Sequence, residues 1–170
     1  MKVQTYTYNK FDHSVIVYGT DGTMVTLYLK QDSGVPVYRN KVTPPRSIEH
    51  PAIPVGVDYY GNWWYLHNHI DHGHAVLDHV SNYSKGEKIY WYNANCKYSS
   101  LKVLERALNS AIIAESYELF WYNCQQYVRE ACEDRRYSED VDAFKNVGKL
   151  LLGVGAIFAL GALISSAGRK

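Results

Sequence analysis

The sequence is poor in cysteine, has almost no net charge and has no long apolar run near its beginning. Its 170 residues include three cysteines, Cys96, Cys124 and Cys132, an odd number that is too small for a disulfide scaffold. Lys and Arg number 18 against 17 Asp and Glu, so the chain lacks a strongly basic character and no nucleic-acid partner is expected. Residues 1–13 lack the apolar segment of a signal peptide, which predicts a cytosolic or cytosol-facing protein.

One segment late in the chain differs from the rest in polarity. The mean hydropathy of −0.32 is that of a soluble protein, yet 150–168 are 19 consecutive residues without a charged side chain. At a rise of ~1.5 Å per residue this helix would measure ~28 Å, close to the ~30 Å hydrocarbon core of a bilayer. Lys145 and Lys149 before it and Arg169 and Lys170 after it would lie at the head groups. We predict a membrane-anchor helix, while its four glycines leave a buried or interfacial helix open.

The rest of the sequence predicts strands first and helices afterwards, which is typical of an α+β fold. The turn signal Gly19–Gly22 predicts a hairpin between the first two well-marked strands. Apolar residues at helical spacing predict a helix over about Leu101–Ala114 and a second helix that begins at Asn123. The predicted strands, with a loop at 81–86, are 14–18, 24–29, 35–42, 50–57, 63–67, 75–80 and 88–92.

Cys124 is the cysteine best placed for nucleophilic chemistry. Asn123 before it is a good N-cap, and a thiol in the first turn of a helix lies near unpaired N–H groups that favour the thiolate. The alternative for Cys124 is a small buried residue on a helix face. Cys132, two turns further on, fits that alternative, and Cys96 lies in a loop with no evident partner.

Six of the seven histidines lie between His50 and His79, where they could supply the imidazole that activates a thiol. The strands at 50–57 and 63–67 predict a second hairpin, with His50 and His67 on its open side. Alternation of side chains along the second strand places His67 and His69 on one face. Either could therefore orient a neighbouring imidazole base.

The same histidines permit a second interpretation, a metal site. The pattern His67-x-His69-x-x-His72-x-His74 with Asp71 offers several ligands for a first-row metal within a short segment. It lacks the cysteines and the helical spacing of known structural zinc motifs. Exposed loop histidines without a role are a third interpretation.

Five segments between His50 and Cys132 occur in an order that resembles one known family. These segments are His50-Pro-Ala-Ile-Pro-Val-Gly, Trp63-Trp-Tyr-Leu-His67, Tyr83-Ser-Lys-Gly-Glu-Lys-Ile, Ser99-Ser-Leu-Lys-Val-Leu-Glu-Arg-Ala and Tyr122-Asn-Cys-Gln-Gln-Tyr-Val128. The order is similar to that of the lecithin:retinol acyltransferase family, which are permuted relatives of the NlpC-like, papain-type hydrolases. Histidine precedes cysteine here, which favours the acyltransferase or phospholipase branch over cell-wall peptidases.

The resemblance implies a role for each candidate site residue. It implies that His50 is the general base, that His67, or His69 in its place, orients the base, and that Cys124 is the nucleophile. It also implies a Cys thioester intermediate, with backbone N–H groups near the helix start holding the oxyanion, and no cofactor or bound metal. The chain departs from the family after the cysteine, where Gln125-Gln126 replaces the usual Glu and its neighbour.

The fold that the resemblance implies is α+β, an antiparallel sheet packed on helices in a permuted papain-like arrangement, plus a C-terminal hydrophobic helix. The chain would comprise an N-terminal β extension (1–45), a catalytic domain (46–135), a linker (136–149) and an anchor helix (150–168). We expect a membrane-associated thiol acyltransferase or phospholipase that acts on a membrane lipid or another acyl ester, with its catalytic domain facing the cytosol. The alternatives are a cysteine peptidase or amidase and a catalytically silent binding module with a His metal site.

Overall fold

Short stretches of β-branched and aromatic residues form strands in the part of the chain that this computed structural model describes, residues 1–43, 46–69, 71–113 and 123–135. All of these residues belong to one unit, Met1–Tyr137. The described elements, in chain order, are β1 (Val3–Asn9), β2 (Ser14–Gly19), β3 (Met24–Tyr28), β4 (Val37–Thr43), β5 (Arg46–Val57), β6 (Trp63–His69), β7 (His74–His79), α1 (Val80–Ser84), β8 (Ile89–Trp91), α2 (Ser100–Ile113) and α3 (Cys124–Glu133). The predicted α+β class and both predicted hairpins are confirmed.

The described strands form one antiparallel sheet in which β5 is the central element. The sheet runs in the order β1-β2-β3-β5-β4-β8, while β6 also pairs with β5 and β7 pairs with β6. Gly56 in β5 lies so close to β3 that a Cβ atom there would be 2.7 Å from the carbonyl oxygen of Tyr28. The Met1 amine donates to the Leu77 carbonyl at 2.9 Å, and the Leu77 N–H donates to the Met1 carbonyl at 2.9 Å. The start of the chain therefore lies beside β7.

One face of the sheet carries the main apolar core. Ile53 and Val55 of β5 and Leu66 of β6 are fully buried there, and the buried stripe of α2 packs against them. The predicted helix at 101–114 is confirmed with nearly the same bounds, because its apolar spacing matches a helix lying on a sheet. The opposite face of β5 and β6 carries His50, His67 and a smaller cluster that consists of Val37, Ala52, Tyr65 and Tyr83.

Two sequence predictions are wrong. The segment predicted as a loop at 81–86 begins with the short helix α1, which His79 caps by accepting a hydrogen bond from the Ser81 N–H. Cys96, which had no evident partner, forms a disulfide with Cys132 at the end of α3. The physical reason is tertiary contact, since the loop after β8 crosses that helix end and the Lys97 N–H donates to the Cys132 carbonyl at 2.9 Å.

Several predictions fall on residues that the structure does not describe. Pro44-Pro45, the boundary predicted at residue 45, lies between β4 and β5, which pair with each other up to Thr43 and Arg46. The linker at 136–149 and the anchor helix at 150–168 lie outside the described residues. Within the described ranges, no helix is long and apolar enough to cross a membrane.

Candidate active site

The cysteine predicted as nucleophile is the first residue of α3, as the sequence indicated. Asn123 caps the helix, since its Oδ1 accepts from the Gln125 N–H at 3.0 Å and from the Gln126 N–H at 3.1 Å. Gln126 completes a capping box, because its Oε1 accepts from the Asn123 N–H at 2.8 Å. The departure from the family pattern at Gln126 therefore has a structural explanation in this chain.

The capping box occupies two N–H groups of the first helical turn, those of Gln125 and Gln126, which donate to Asn123. Cys124 itself is 8 % exposed, and α3 packs against β5 and β6, the strands that carry His50 and His67. The helix that begins with this nearly buried cysteine therefore packs against the strands that carry the two histidines.

A hydrogen-bonded chain of three side chains lies on those strands and on β7. His50 Nε2 and His67 Nδ1 are 3.0 Å apart, and His67 Nε2 is 3.0 Å from Asp78 Oδ2. His50 is 5 % exposed and His67 is 2 % exposed, so both imidazoles are shielded from water. Of the two candidates for the orienting group, His67 makes the hydrogen bond to His50.

The protonation states of these three hydrogen-bonded side chains follow from that of Asp78. Burial alone would raise the pKa of Asp78, but the hydrogen bond and the charge of His67 outweigh it and hold the pKa below the ordinary 3.8. Burial lowers the pKa of His67 below 6.5, and the hydrogen bond that His67 donates to Asp78 opposes this shift without reversing it. At neutral pH, Asp78 is therefore ionised and His67 is neutral.

These charge states determine which nitrogen carries each proton. An ionised Asp78 can only accept, so His67 donates from Nε2 and its Nδ1 is an acceptor. His50 Nε2 then donates to that acceptor, so Nδ1 is the unprotonated nitrogen in the neutral form of His50. A neutral imidazole whose second nitrogen is oriented by a hydrogen bond is the form that a general base requires.

Tyr83 of α1 packs against the histidine pair. Its hydroxyl donates to the His50 carbonyl at 2.6 Å, and its ring centroid is 5.9 Å from that of His50. Burial raises the pKa of the Tyr83 phenol strongly, the charge of Arg39 lowers it, and the charge of Cys124 raises it further. Arg39 and the His50 ring therefore lie against one buried phenol, and Cys124 is near enough to influence its pKa.

His69 belongs to the same cluster but has different partners. Its ring centroid lies 5.3 Å from that of His50, and its Nδ1 accepts from the Asp71 N–H at 3.1 Å. In the described part of the chain, no three His, Cys, Asp or Glu side chains are arranged to hold a metal ion. His67 is instead bound to His50 and Asp78.

Sequence reasoning missed three members of this cluster, Asp78, Tyr83 and Arg39. Asp78 had a signal, because it is the one charged residue in a strand of apolar residues and alternation places it on the histidine face. Tyr83 appears in a segment that carries the resemblance, but its local sequence predicts no contact with a histidine 33 residues earlier. Arg39 had no local signal.

Comparison of the chain with protein-family models, with curated proteins and with solved structures found no match.

Proposed function

We propose that this protein is a thiol acyltransferase or hydrolase that forms a thioester on Cys124. The observation that carries the proposal is the chain Asp78–His67–His50, which orients an imidazole on β5, one of the two strands against which the helix headed by Cys124 packs. Such a base, oriented by a further polar group, activates thiol nucleophiles. The permuted papain-like arrangement and the membrane-anchor helix at 150–168 are part of this proposal.

In the acylation step His50 Nδ1 takes the proton of the Cys124 thiol, and the sulfur attacks the carbonyl carbon of an ester. The carbonyl electrons move to oxygen, and the tetrahedral oxyanion collapses as the bond to the leaving oxygen breaks. The protonated His50 gives its proton to that oxygen, which leaves as an alcohol. His67 and Asp78 stabilise the imidazolium that forms in between, because the ionised carboxylate lies one hydrogen-bonded ring away.

In the second step an acceptor hydroxyl, amine or water attacks the thioester. His50 takes the acceptor's proton, the carbon–sulfur bond breaks, and the sulfur recovers a proton from His50. Water gives a free acid and hydrolysis, whereas an alcohol or amine gives acyl transfer. Both outcomes use the same residues and require no cofactor.

A groove next to the site supports a lipid ester as the substrate. A groove of about 220 Å³ opens on the face of the sheet that carries the two histidines, between Trp63 and Tyr65 of β6 and Trp91 of β8. Tyr65 stacks on Tyr83 with ring centroids 4.8 Å apart, and Tyr83 packs against His50, so one buried ring separates the groove from the histidine. Aromatic side chains of this kind suit an acyl chain better than a polar peptide.

The alternative within the same chemistry is a cysteine peptidase or amidase. It uses the same Cys124 and His50, and it differs in the leaving group, an amine in place of an alcohol. The catalytically silent binding module is disfavoured by the complete hydrogen-bonded chain, since a binding role needs no oriented base.

The experiment is direct capture of the acyl-enzyme. The full-length protein is incubated with mixed diacyl phosphoglyceride vesicles, quenched in acid and digested, and the peptide that contains Cys124 is weighed by mass spectrometry. We expect a mass increase equal to one fatty acid minus one water in the native protein, and none in Cys124→Ala.

His72→Ala serves as the matched control, because His72 is exposed and outside the hydrogen-bonded chain. It should keep the adduct, whereas His50→Ala should lose it. An adduct formed only from amide or peptide substrates would favour the alternative. Absence of adduct and of free acid with every acyl donor would contradict the proposal.

A further inference from the structure

Arg39 is a buried cation next to the proposed catalytic residues. It lies on β4 directly opposite His50 in the β4–β5 register, so both side chains point to the same face of the sheet. His67 flanks His50 from the other side, on β6. The guanidinium carbon of Arg39 is 5.7 Å from the centroid of the Tyr83 ring.

The charge of Arg39 has no anionic partner among the described residues. The side chain is 3 % exposed, its Nε is buried without a hydrogen-bond partner, and none of the ion pairs of these residues includes it. A guanidinium presents five donors and cannot release its proton, so burying it unpaired is costly. Among the residues that the structure describes, no carboxylate therefore neutralises this buried positive charge.

The other groups around Arg39 do not supply a negative charge to neutralise it. The high pKa of Tyr83 keeps its phenol neutral, and the low pKa of His67 keeps its imidazole neutral. The charge of Arg39 itself contributes to the low pKa of His67. Asp78 is bound to the far nitrogen of His67, on the side away from His50.

We propose that Arg39 binds an anionic oxygen group, a phosphate or a carboxylate, that the substrate carries close to its scissile bond. This inference rests on the proposed function, because it places the anion beside the thiol that would be acylated. The planar fork of the guanidinium matches two oxygens of such a group, and binding would supply the missing partner. The substrates would then be anionic esters or amides in preference to neutral ones.

Alkylation of Cys124 by two small reagents tests the binding without turnover. Iodoacetate and iodoacetamide are close in size and attack the same sulfur, but only iodoacetate is anionic. Cys96 and Cys132 are joined in a disulfide, so Cys124 is the one free cysteine in the chain and its labelling reports directly on the site. The measured quantity is the ratio of the two second-order rates on the full-length protein.

We expect the ratio of iodoacetate to iodoacetamide rates to fall at least tenfold in Arg39→Gln. In Arg39→Lys it should fall less, because the charge remains while the fork is lost. Inorganic phosphate or acetate, at constant ionic strength, should slow iodoacetate in the native protein and not in Arg39→Gln; the stronger competitor identifies the class of anion. Lys102→Gln removes an exposed charge elsewhere and should leave the ratio unchanged.

Two results would overturn the inference. An unchanged ratio in a folded Arg39→Gln variant would show that Arg39 does not attract anions to the thiol. Equal slowing of both reagents, with the pH midpoint of alkylation moved upward, would make Arg39 the counter-ion of the Cys124 thiolate instead. Arg39→Lys keeps the test decisive if Arg39→Gln fails to fold. Because alkylation needs only the thiol, the ratio is informative even if no lipid ester is turned over.

Discussion

The two faces of β5 are buried to a similar degree but are stabilised in different ways. Ile53 and Val55 point to the apolar core and have no exposed surface, while His50 on the other face is 5 % exposed. The apolar side chains need only volume and contact. His50 also needs a hydrogen-bond partner in a particular direction, which His67 supplies at 3.0 Å.

This difference indicates which changes each face tolerates. An apolar core accepts a swap that conserves volume, because dispersion and burial have little directional preference. A buried polar chain does not, because removing one member leaves another donor or acceptor without a partner. Changes on the apolar face should therefore alter stability, and changes on the histidine face should alter chemistry.

The largest effect is expected from His50→Ala. Loss of a positioned general base typically lowers the rate by about 10²–10⁴-fold, and in the proposed mechanism His50 is also the proton donor to the leaving group. Acyl transfer or hydrolysis by the full-length protein should fall by that amount, measured as kcat/KM. His72→Ala should retain activity within a factor of two to three, and a comparable loss in His72→Ala would remove the distinction between the two histidines.

A core change on the opposite face of the same strand should act on stability. Ile53→Ala removes a fully buried side chain and should lower the free energy of unfolding by about 2–5 kcal/mol, whereas Ile53→Val should cost about 0.5–1.5 kcal/mol. Urea denaturation measures both. Activity per folded molecule should be unchanged, and a parallel loss of kcat in Ile53→Val would mean that the two faces are coupled.

The disulfide lies on the apolar side, at the end of α3 remote from Cys124. Cys96 and Cys132 are separated by 36 residues, and closing a loop of that size typically stabilises a fold by about 2–4 kcal/mol. Reductant should lower the stability of the native protein and have no effect on the double variant Cys96→Ala/Cys132→Ala. The rate at which iodoacetamide alkylates Cys124 should stay the same. A large change would show that the disulfide also positions the thiol.

The smallest effect is the pH dependence that His67 introduces. The pKa of His67 in the folded protein is below the ordinary 6.5. As the pH falls through 6.5, this histidine therefore binds a proton in the unfolded chain but not yet in the folded protein. Stability is therefore fully present above pH 6.5 and declines below it, at up to about 1.4 kcal/mol per pH unit for one group. Asp78, with a pKa below 3.8, adds a second loss at still lower pH.

Denaturation curves at pH 7.5, 6.5 and 5.5 measure this dependence. His67→Gln should flatten the curve between pH 6.5 and 5.5, because glutamine does not titrate. A slope that survives in His67→Gln would assign the proton uptake to another group, such as His74, whose pKa burial also lowers.

Features that depend on neighbouring residues could be predicted from the sequence. The hairpin of β2 and β3, the helix α2 and the capped start of α3 all follow from spacing and capping patterns within about a dozen residues. The pairing of His50 with His67 was within reach for the same reason, since one hairpin brings them together.

Contacts that depend on the exact register of a strand pair, or on elements far apart in the chain, were not predicted. Arg39 meets His50 through the register of β4 on β5, and Asp78 meets His67 through the register of β7 on β6. A shift of one residue in either register would turn these side chains to the other face. The disulfide between Cys96 and Cys132 depends on a loop crossing a helix end, which no spacing encodes.

The sequence by itself determined the candidate residues: one capped cysteine at a helix start and histidines on a strand hairpin. These features are local, and local propensity and capping suffice to produce them. The tertiary structure decided which histidine orients His50, which carboxylate sets the proton positions, and that a buried arginine faces the same site. Those choices depend on strand register and on burial, which exist only once the sheet has assembled and water has been excluded.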